Sequence, residues 1–183
     1  MRRVPVRVVD ALKGASSSPV TVKGWLRSLR KQKSVAFLAI SDGSSQSSLQ
    51  VVCVGKAGAA ALGTGCSVEA VGELVEPAGK AVEMQAEGVR LVGGCDGSYP
   101  LQKKGHSMEF MREVVHLRPR SNTFGAVARV RHTATRAVND FLDAEGLLQV
   151  HTPVLTSSDC EGAGELFSVA AADGDGPFFG TPV

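Results

Sequence analysis

Aromatic residues are scarce in this sequence. They make up 5% of it, with one tryptophan and one tyrosine, against 21 glycines, so packing is left to small and aliphatic side chains. No apolar run approaches the roughly 20 residues that cross a bilayer as a helix, and no membrane partner is expected. The four cysteines, Cys53, Cys66, Cys95 and Cys160, lack paired metal-ligand spacing and are too sparse for a disulfide scaffold. They read as reduced thiols in a reducing compartment. His106, His116, His132 and His151 share no spacing either; they read as structural or solvent-facing, and no metal site is expected. The sharpest absence is local: from Ala137 to Val183 there are eight acids and no lysine or arginine.

That gap belongs to an alternation hidden by a net charge of +2. Met1–Lys33 carries nine basic residues and one acid, Ser34–Pro100 three and seven, and Leu101–Arg136 eight and two. Basic stretches favour a polyanion by counterion release, and acidic ones favour a cationic group. Two binding tasks in one chain are the simplest reading.

With 183 residues and 43% hydrophobic content, the chain has room for one large or two small domains. Residues 1–18 form a lead-in. Three arginines precede Asp10, and two readings stay open: the end of an organellar transit peptide, or an ordered approach over Val6–Leu12 to a first strand. Residues 19–94 read as a small all-β domain. Val20 and Val22 alternate with Thr21 and Lys23; Ser34–Ile40, Ser48–Val54, Cys66–Leu74 and Val82–Leu91 follow as strands, with an alanine-rich helix over Lys56–Leu62. Five strands with a helix between the third and fourth predict an OB-fold, a Greek-key barrel whose open face binds oligonucleotides. Such a face stacks bases on an aromatic ring and reads edges and phosphates with guanidinium and amide groups. Phe37, Arg27, Arg30 and Gln50 have that chemistry. Phe37 as a core residue and the arginines as a solvated rim remain open alternatives.

Residues 95–120 read as a hinge or linker: Gly93, Gly94, Asp96, Gly97 and Pro100 break the barrel off, Lys103–His106 is basic, and Ser107–Val115 predicts a short helix. From 121 onward the pattern changes period. Asn122 or Thr123 would cap a helix whose Val127, Val130, Ala134, Val138 and Phe141 share one face, and Gly146 would end it. Leu147–Leu155 then reads as a strand carrying Pro153, which cannot donate to a ladder and belongs at an edge or interface. A Gly-rich acidic loop, Thr156–Phe167, follows, suited to presenting carboxylates to a cationic group.

The wording of these stretches is more specific than their periodicity. Residues 146–155, GLLQVHTPVL, resemble motif 1 of class II aminoacyl-tRNA synthetases. The flanks HLRPRSNTFGAVARVR and TSSDCEGAGELF resemble the asparaginyl-tRNA synthetases in particular. Upstream, GWLRSLRKQKSVAFLAISDG followed by SLQVV resembles the anticodon-binding domain shared by aspartyl, asparaginyl and lysyl synthetases.

The resemblance implies a β barrel plus an α/β part: a five-stranded OB-fold, then, over 121–183, the truncated start of a class II antiparallel-sheet catalytic domain. It implies that Phe37 stacks on an anticodon base, that Arg30 and Gln50 contact the same triplet, and that Trp25 packs; Arg27 joins the expected anticodon-binding residues by its place closing the first strand. It further implies that Glu161 binds the ammonium group of L-asparagine and that Pro153 lies at a homodimer interface. The expected activity is ATP-dependent charging of tRNA-Asn with asparagine. The motif 2 and motif 3 arginines would fall beyond Val183, so no catalytic residue is expected here. ATP and Mg2+ would be held mainly elsewhere, and the chain alone should be inactive. Two alternatives stay open: an aspartyl-tRNA synthetase, including a non-discriminating one, and a non-catalytic OB-fold module that binds tRNA. The expected location is the cytoplasm, or else a mitochondrial or plastid matrix.

Overall fold

A computed structural model describes residues 4–55, 62–102 and 104–155, with the side chain of Ser17 also left aside. The chain divides into two compact units, residues 1–134 and 135–183. Most of the first is a closed barrel in the strand order β1-β2-β3-β5-β4. Its strands are β1 (Ser16–Lys31), β2 (Val35–Ser41), β3 (Leu49–Val54), β4 (Ser67–Val75) and β5 (Glu83–Gly93). Of the helix expected over Lys56–Leu62, residues 56–61 lie outside the described residues.

β1 closes the barrel because it is long enough to belong to two ladders. Its first part, Ser16–Trp25, pairs antiparallel with β4, and Trp25–Lys31 pairs antiparallel with β2. A register shift between Leu26 and Ser28 bends the strand between these partners, as bulges do. At that corner a Cβ on Gly24 would lie 2.7 Å from the Ser41 carbonyl oxygen and 2.8 Å from Ile40 Cγ2, so only glycine fits.

Strand alternation fills the interior. Val22, Leu26, Leu38, Ile40, Leu49, Val51, Val68 and Met84 are all buried, and each such aliphatic side chain contributes roughly 1.5–3 kcal/mol. A short helix, α1 (Val8–Ala11), adds the buried Val8 and Ala11 to this core, and Val6 bridges to Val22. α1 has no side-chain cap of its own. The turn after β2 supplies one: Asp42 Oδ2 accepts from the Val8 amide at 2.9 Å, and Ser44 Oγ from the Val9 amide at 3.0 Å.

Past the barrel, α2 (Met108–Glu113) starts at Ser107, whose hydroxyl accepts from the Phe110 amide. A 3-10 turn, Arg118–Arg120, leads into α3 (Asn122–Ala144). The cap of α3 is Ser121, not Asn122 or Thr123: its Oγ accepts from the Phe124 amide at 3.3 Å. Asn122 is already helical, and its side chain is taken up by the barrel. At the other end Gly146 has φ +80°. Its amide donates to Asp143 and that of Leu147 to Leu142, both at 3.0 Å, the paired bonds that close a helix on a left-handed glycine.

Beyond residue 126 the helix follows the expected pattern and the strand does not. The apolar face of α3 is present but uncovered within this chain's described residues: Val130 is 68% and Phe141 63% exposed. Leu147–Leu155 forms no strand. A strand needs a neighbour to take its backbone groups, and among the described residues none pairs with this stretch.

Asp42 carries a pH prediction. Burial pushes its carboxyl up, but hydrogen bonds from the Ser44 hydroxyl and the Val8 and Ser44 amides outweigh it and hold the carboxyl below its ordinary 3.8. A lowered folded value stabilises the fold at pH above 3.8, and that contribution is lost as pH falls through the lower, folded value. Asp42→Ala should cost about 1 kcal/mol at neutral pH and flatten the acid limb of stability, as read by urea unfolding between neutral pH and pH 3.

Candidate nucleic-acid interface

Strand register builds the outer face of the barrel. Arg30 lies opposite Phe37, Phe37 opposite Val52, and Val52 opposite Gln85, one row across β1, β2, β3 and β5. The neighbouring row is Ser28, Ala39, Gln50 and Glu83. Alternation turns Ala36, Leu38 and Ile40 inward, so Phe37 and Ala39 point out. Phe37 is therefore not a core residue, and its half-exposed ring stands on the barrel's face.

The face joins charge, ring and amide. The Arg30 guanidinium carbon sits 4.6 Å from the Phe37 ring centroid, a cation–π contact worth about 0.5–1 kcal/mol where exposed. Ser28, Arg30, Phe37, Leu38, Ala39 and Gln50 line a shallow hollow of about 180 Å³. Gln50 Nε2 donates to Glu83 Oε2 at 2.8 Å, and Gln85 Nε2 donates to Glu83 Oε1 at 2.8 Å. A flat aromatic surface, a cation for phosphate and an oriented amide for a base edge are what single-stranded nucleic acid requires.

The structure brings Arg30, Phe37 and Gln50 together and sets Arg27 elsewhere. The bulge in β1 sends Arg27 to the linker side, where Nη2 donates to Asn122 Oδ1 at 3.1 Å. Burial pushes the Arg27 guanidinium down; Tyr99 opposes this and the charge of Arg120 adds to it. Arg27, Tyr99, Lys104, His106, Arg120 and Asn122 line a separate cleft of about 360 Å³. Trp25 is 40% exposed, with the Arg120 guanidinium carbon 4.7 Å from its ring centroid. It stands at the surface against this arginine.

The acidic loop with Glu161 lies outside the described residues, as does Lys103. Pro153 is described and exposed. Glu83, Gln85 and Ser28 were not among the expected site residues. The alternation of Glu83 and Gln85 with Val82 and Met84 marks them as outward-facing. Their place beside Gln50 depends on a parallel pairing between strands that are not consecutive.

Comparison with known proteins narrows the class. Residues 20–92 match the OB-fold nucleic acid binding domain family, and residues 107–182 match the tRNA synthetases class II (D, K and N). The chain thus joins an OB barrel to the opening of a class II synthetase domain, in the order in which the two matches run. Within that class it is a homologue of the asparagine–tRNA ligases. It is 49% identical over 179 residues to that of Geobacter metallireducens, covering 94% of this chain and 39% of the relative. The Entamoeba histolytica asparaginyl-tRNA synthetase in complex with asparaginyl-adenylate has the same fold: TM-score 0.73, 22% identity, 86% of this chain and 39% of that one. So has the Pyrococcus horikoshii asparaginyl-tRNA synthetase complexed with asparaginyl-adenylate: TM-score 0.72, 22% identity, 95% and 42%.

Phe37→Ala should weaken RNA binding by roughly 1–3 kcal/mol, the scale of one lost stack, while the melting temperature falls by only a few degrees, about what the lost cation–π contact accounts for. Intact binding in fluorescence anisotropy together with a destabilised fold would return Phe37 to the core.

Proposed function

We propose that this chain carries the anticodon-reading part and the amino-acid loop of an asparagine–tRNA ligase. The observation that supports this best is the Arg30–Phe37–Gln50 cluster on an OB barrel, in a chain half identical to such ligases over nearly its whole length. The chain spans 39% of that relative, so the complete reaction is part of the proposal.

In it, the asparagine carboxylate attacks the α-phosphate of ATP, pyrophosphate leaves and asparaginyl-adenylate forms; a terminal ribose hydroxyl of tRNA-Asn then attacks the adenylate's carbonyl carbon, taking the aminoacyl group and releasing AMP. What this chain's residues do is bind and orient. Phe37 stacks on an anticodon base, Gln50 reads a base edge, and Arg30 stays against the ring to meet phosphate. Glu161, on its acidic loop, pairs with the ammonium group of asparagine. Magnesium would serve the nucleotide; among the described residues no group of three His, Cys, Asp or Glu side chains gathers to hold a metal.

The uncovered face of α3, with Val130, Val138 and Phe141, and Pro153 beyond it would be the surface that a second copy covers in a homodimer. Large contiguous apolar faces on soluble chains are commonly interaction sites. The setting that fits translation is the cytoplasm, and no described helix is long and apolar enough to cross a membrane.

A full-length ligase bearing this sequence should charge tRNA-Asn with asparagine. In that enzyme Glu161→Gln should raise KM for asparagine roughly tenfold, the scale of one charge-assisted hydrogen bond, and leave KM for ATP nearly unchanged. Equal effects on both substrates in a pyrophosphate-exchange assay would remove Glu161 from the amino-acid pocket. Preferential charging with aspartate would favour the aspartyl reading.

A further inference from the structure

Two thiols meet where the barrel gives way to the linker. Ser67 at the start of β4 stands opposite Gly93 at the end of β5, so Cys66 and Cys95 lie just past that pair, one on each chain. The chains stay side by side beyond it: Cys95 Sγ is 2.7 Å from where a Cβ on Gly65 would stand. Gly65, at φ +92° and without a side chain, is what lets a thiol lie this close to the backbone next to Cys66. Opposed Cα atoms of paired antiparallel chains are about 4.5–5.5 Å apart, inside the roughly 4.4–6.8 Å that a disulfide spans.

The two residues differ in access and in what holds them. Cys66 is buried in the barrel core, and its backbone is fixed to β1: the Cys66 carbonyl accepts from the Leu26 amide at 2.9 Å, and the Gly65 amide donates to the Leu26 carbonyl at 2.8 Å. Cys95 opens the linker and is half-buried against the same core cluster. Both thiols are free. Burial pushes the Cys95 thiol up, and charge on Cys66 pushes it further, ahead of the adjoining Asp96 carboxylate, while Arg120 acts in the opposite direction. A thiol so placed is slow to react, and in a reducing compartment the pair stays open. Cys53 provides a contrast, since on β3 it stands opposite Ala36 and Ala86.

We propose that Cys66 and Cys95 form an oxidisable pair, which a peroxide closes to a disulfide tying the start of the linker to the barrel and which a thiol reductant reopens. This does not depend on the anticodon reading. Cys95, the more accessible thiol, reacts first. Its thiolate attacks one peroxide oxygen, the O–O bond breaks, and the departing hydroxide takes a proton to become water, leaving a sulfenic acid. Cys66 then gives up its proton and attacks that sulfur; the S–S bond forms, the S–O bond breaks, and a second water leaves. The protein loses two electrons and two protons, and the peroxide is reduced to two waters.

The test treats the purified chain with a modest excess of hydrogen peroxide, blocks remaining thiols by alkylation, and maps peptides by mass spectrometry without reductant. The expected product joins the Cys66 and Cys95 peptides with the loss of two hydrogens, and dithiothreitol undoes it. Oxidation should raise the melting temperature by roughly 5–10 °C, the scale of a closed loop of this kind. Cys95→Ser and Cys66→Ala should each abolish the cross-link and the oxidant-dependent rise, and Cys53→Ala should keep both. Should Cys66→Ala fold poorly, Cys95→Ser, at a half-buried position, carries the comparison. A pair that stays reduced, Cys95 trapped as sulfinic or sulfonic acid, or a bridge to Cys53, Cys160 or a second copy would overturn the proposal. A Cys66–Cys95 bridge with no rise in melting temperature would contradict the tie between linker and barrel.

Discussion

The parallel pairing of β3 with β5 is the contact on which the barrel and its candidate site both depend. Closure needs it, because β3 would otherwise present an open edge between β2 and β5. The same register sets Glu83 beside Gln50 and Gln85 beside Val52. Side chains alternate with a period of two, so a slip of one residue would carry Glu83 and Gln85 inward and bring Met84 to the surface. The completely buried Met84 resists that slip. Core packing therefore maintains the polar arrangement outside.

A second constraint works through the turn between β2 and β3. Asp42 and Ser44 of this turn receive the first amides of α1. From the other side, Arg129 of α3 donates to the Gly43 carbonyl at 2.7 Å and to Gln46 Oε1 at 3.1 Å, while Gln46 Nε2 donates to the Asn122 carbonyl at 2.8 Å. The strands that carry Phe37 and Gln50 are thus joined by a loop held at both flanks. Under the proposed function this rigidity favours binding, since little ordering would be left to do when an RNA base stacks on Phe37.

Much of this was legible in the residues, for reasons that differ from place to place. The strands of the barrel could be read because one face of each is buried and the alternation survives, as in Ala36, Leu38 and Ile40 against Phe37 and Ala39. Phe37, Arg30 and Gln50 stood out by chemistry, and their meeting follows from the antiparallel hairpin β2–β3 and the reach of β1. Arg27 lies apart from these three because a bulge, invisible in the pattern, turns it from the barrel face toward Asn122. Glu83 and Gln85 were recognisable as outward-facing but not as neighbours of Gln50, since pairing between distant strands leaves no local trace. Leu147–Leu155 has the composition of a strand, but composition does not supply the partner that a ladder requires. Ser121 was passed over as a helix cap for its neighbours, because capping depends on where the 3-10 turn of Arg118–Arg120 releases the backbone.

Binding of the purified chain to tRNA-Asn, tRNA-Asp and an unrelated tRNA at two salt concentrations addresses most directly whether the barrel reads an anticodon. Phosphate contacts weaken steeply with salt and carry no sequence information, whereas stacking and base-edge contacts set the preference among tRNAs. A preference for tRNA-Asn that survives added salt is the expected result. Equal binding to all three that disappears with salt would contradict it, leaving a basic surface and no anticodon role for Arg30, Phe37 and Gln50.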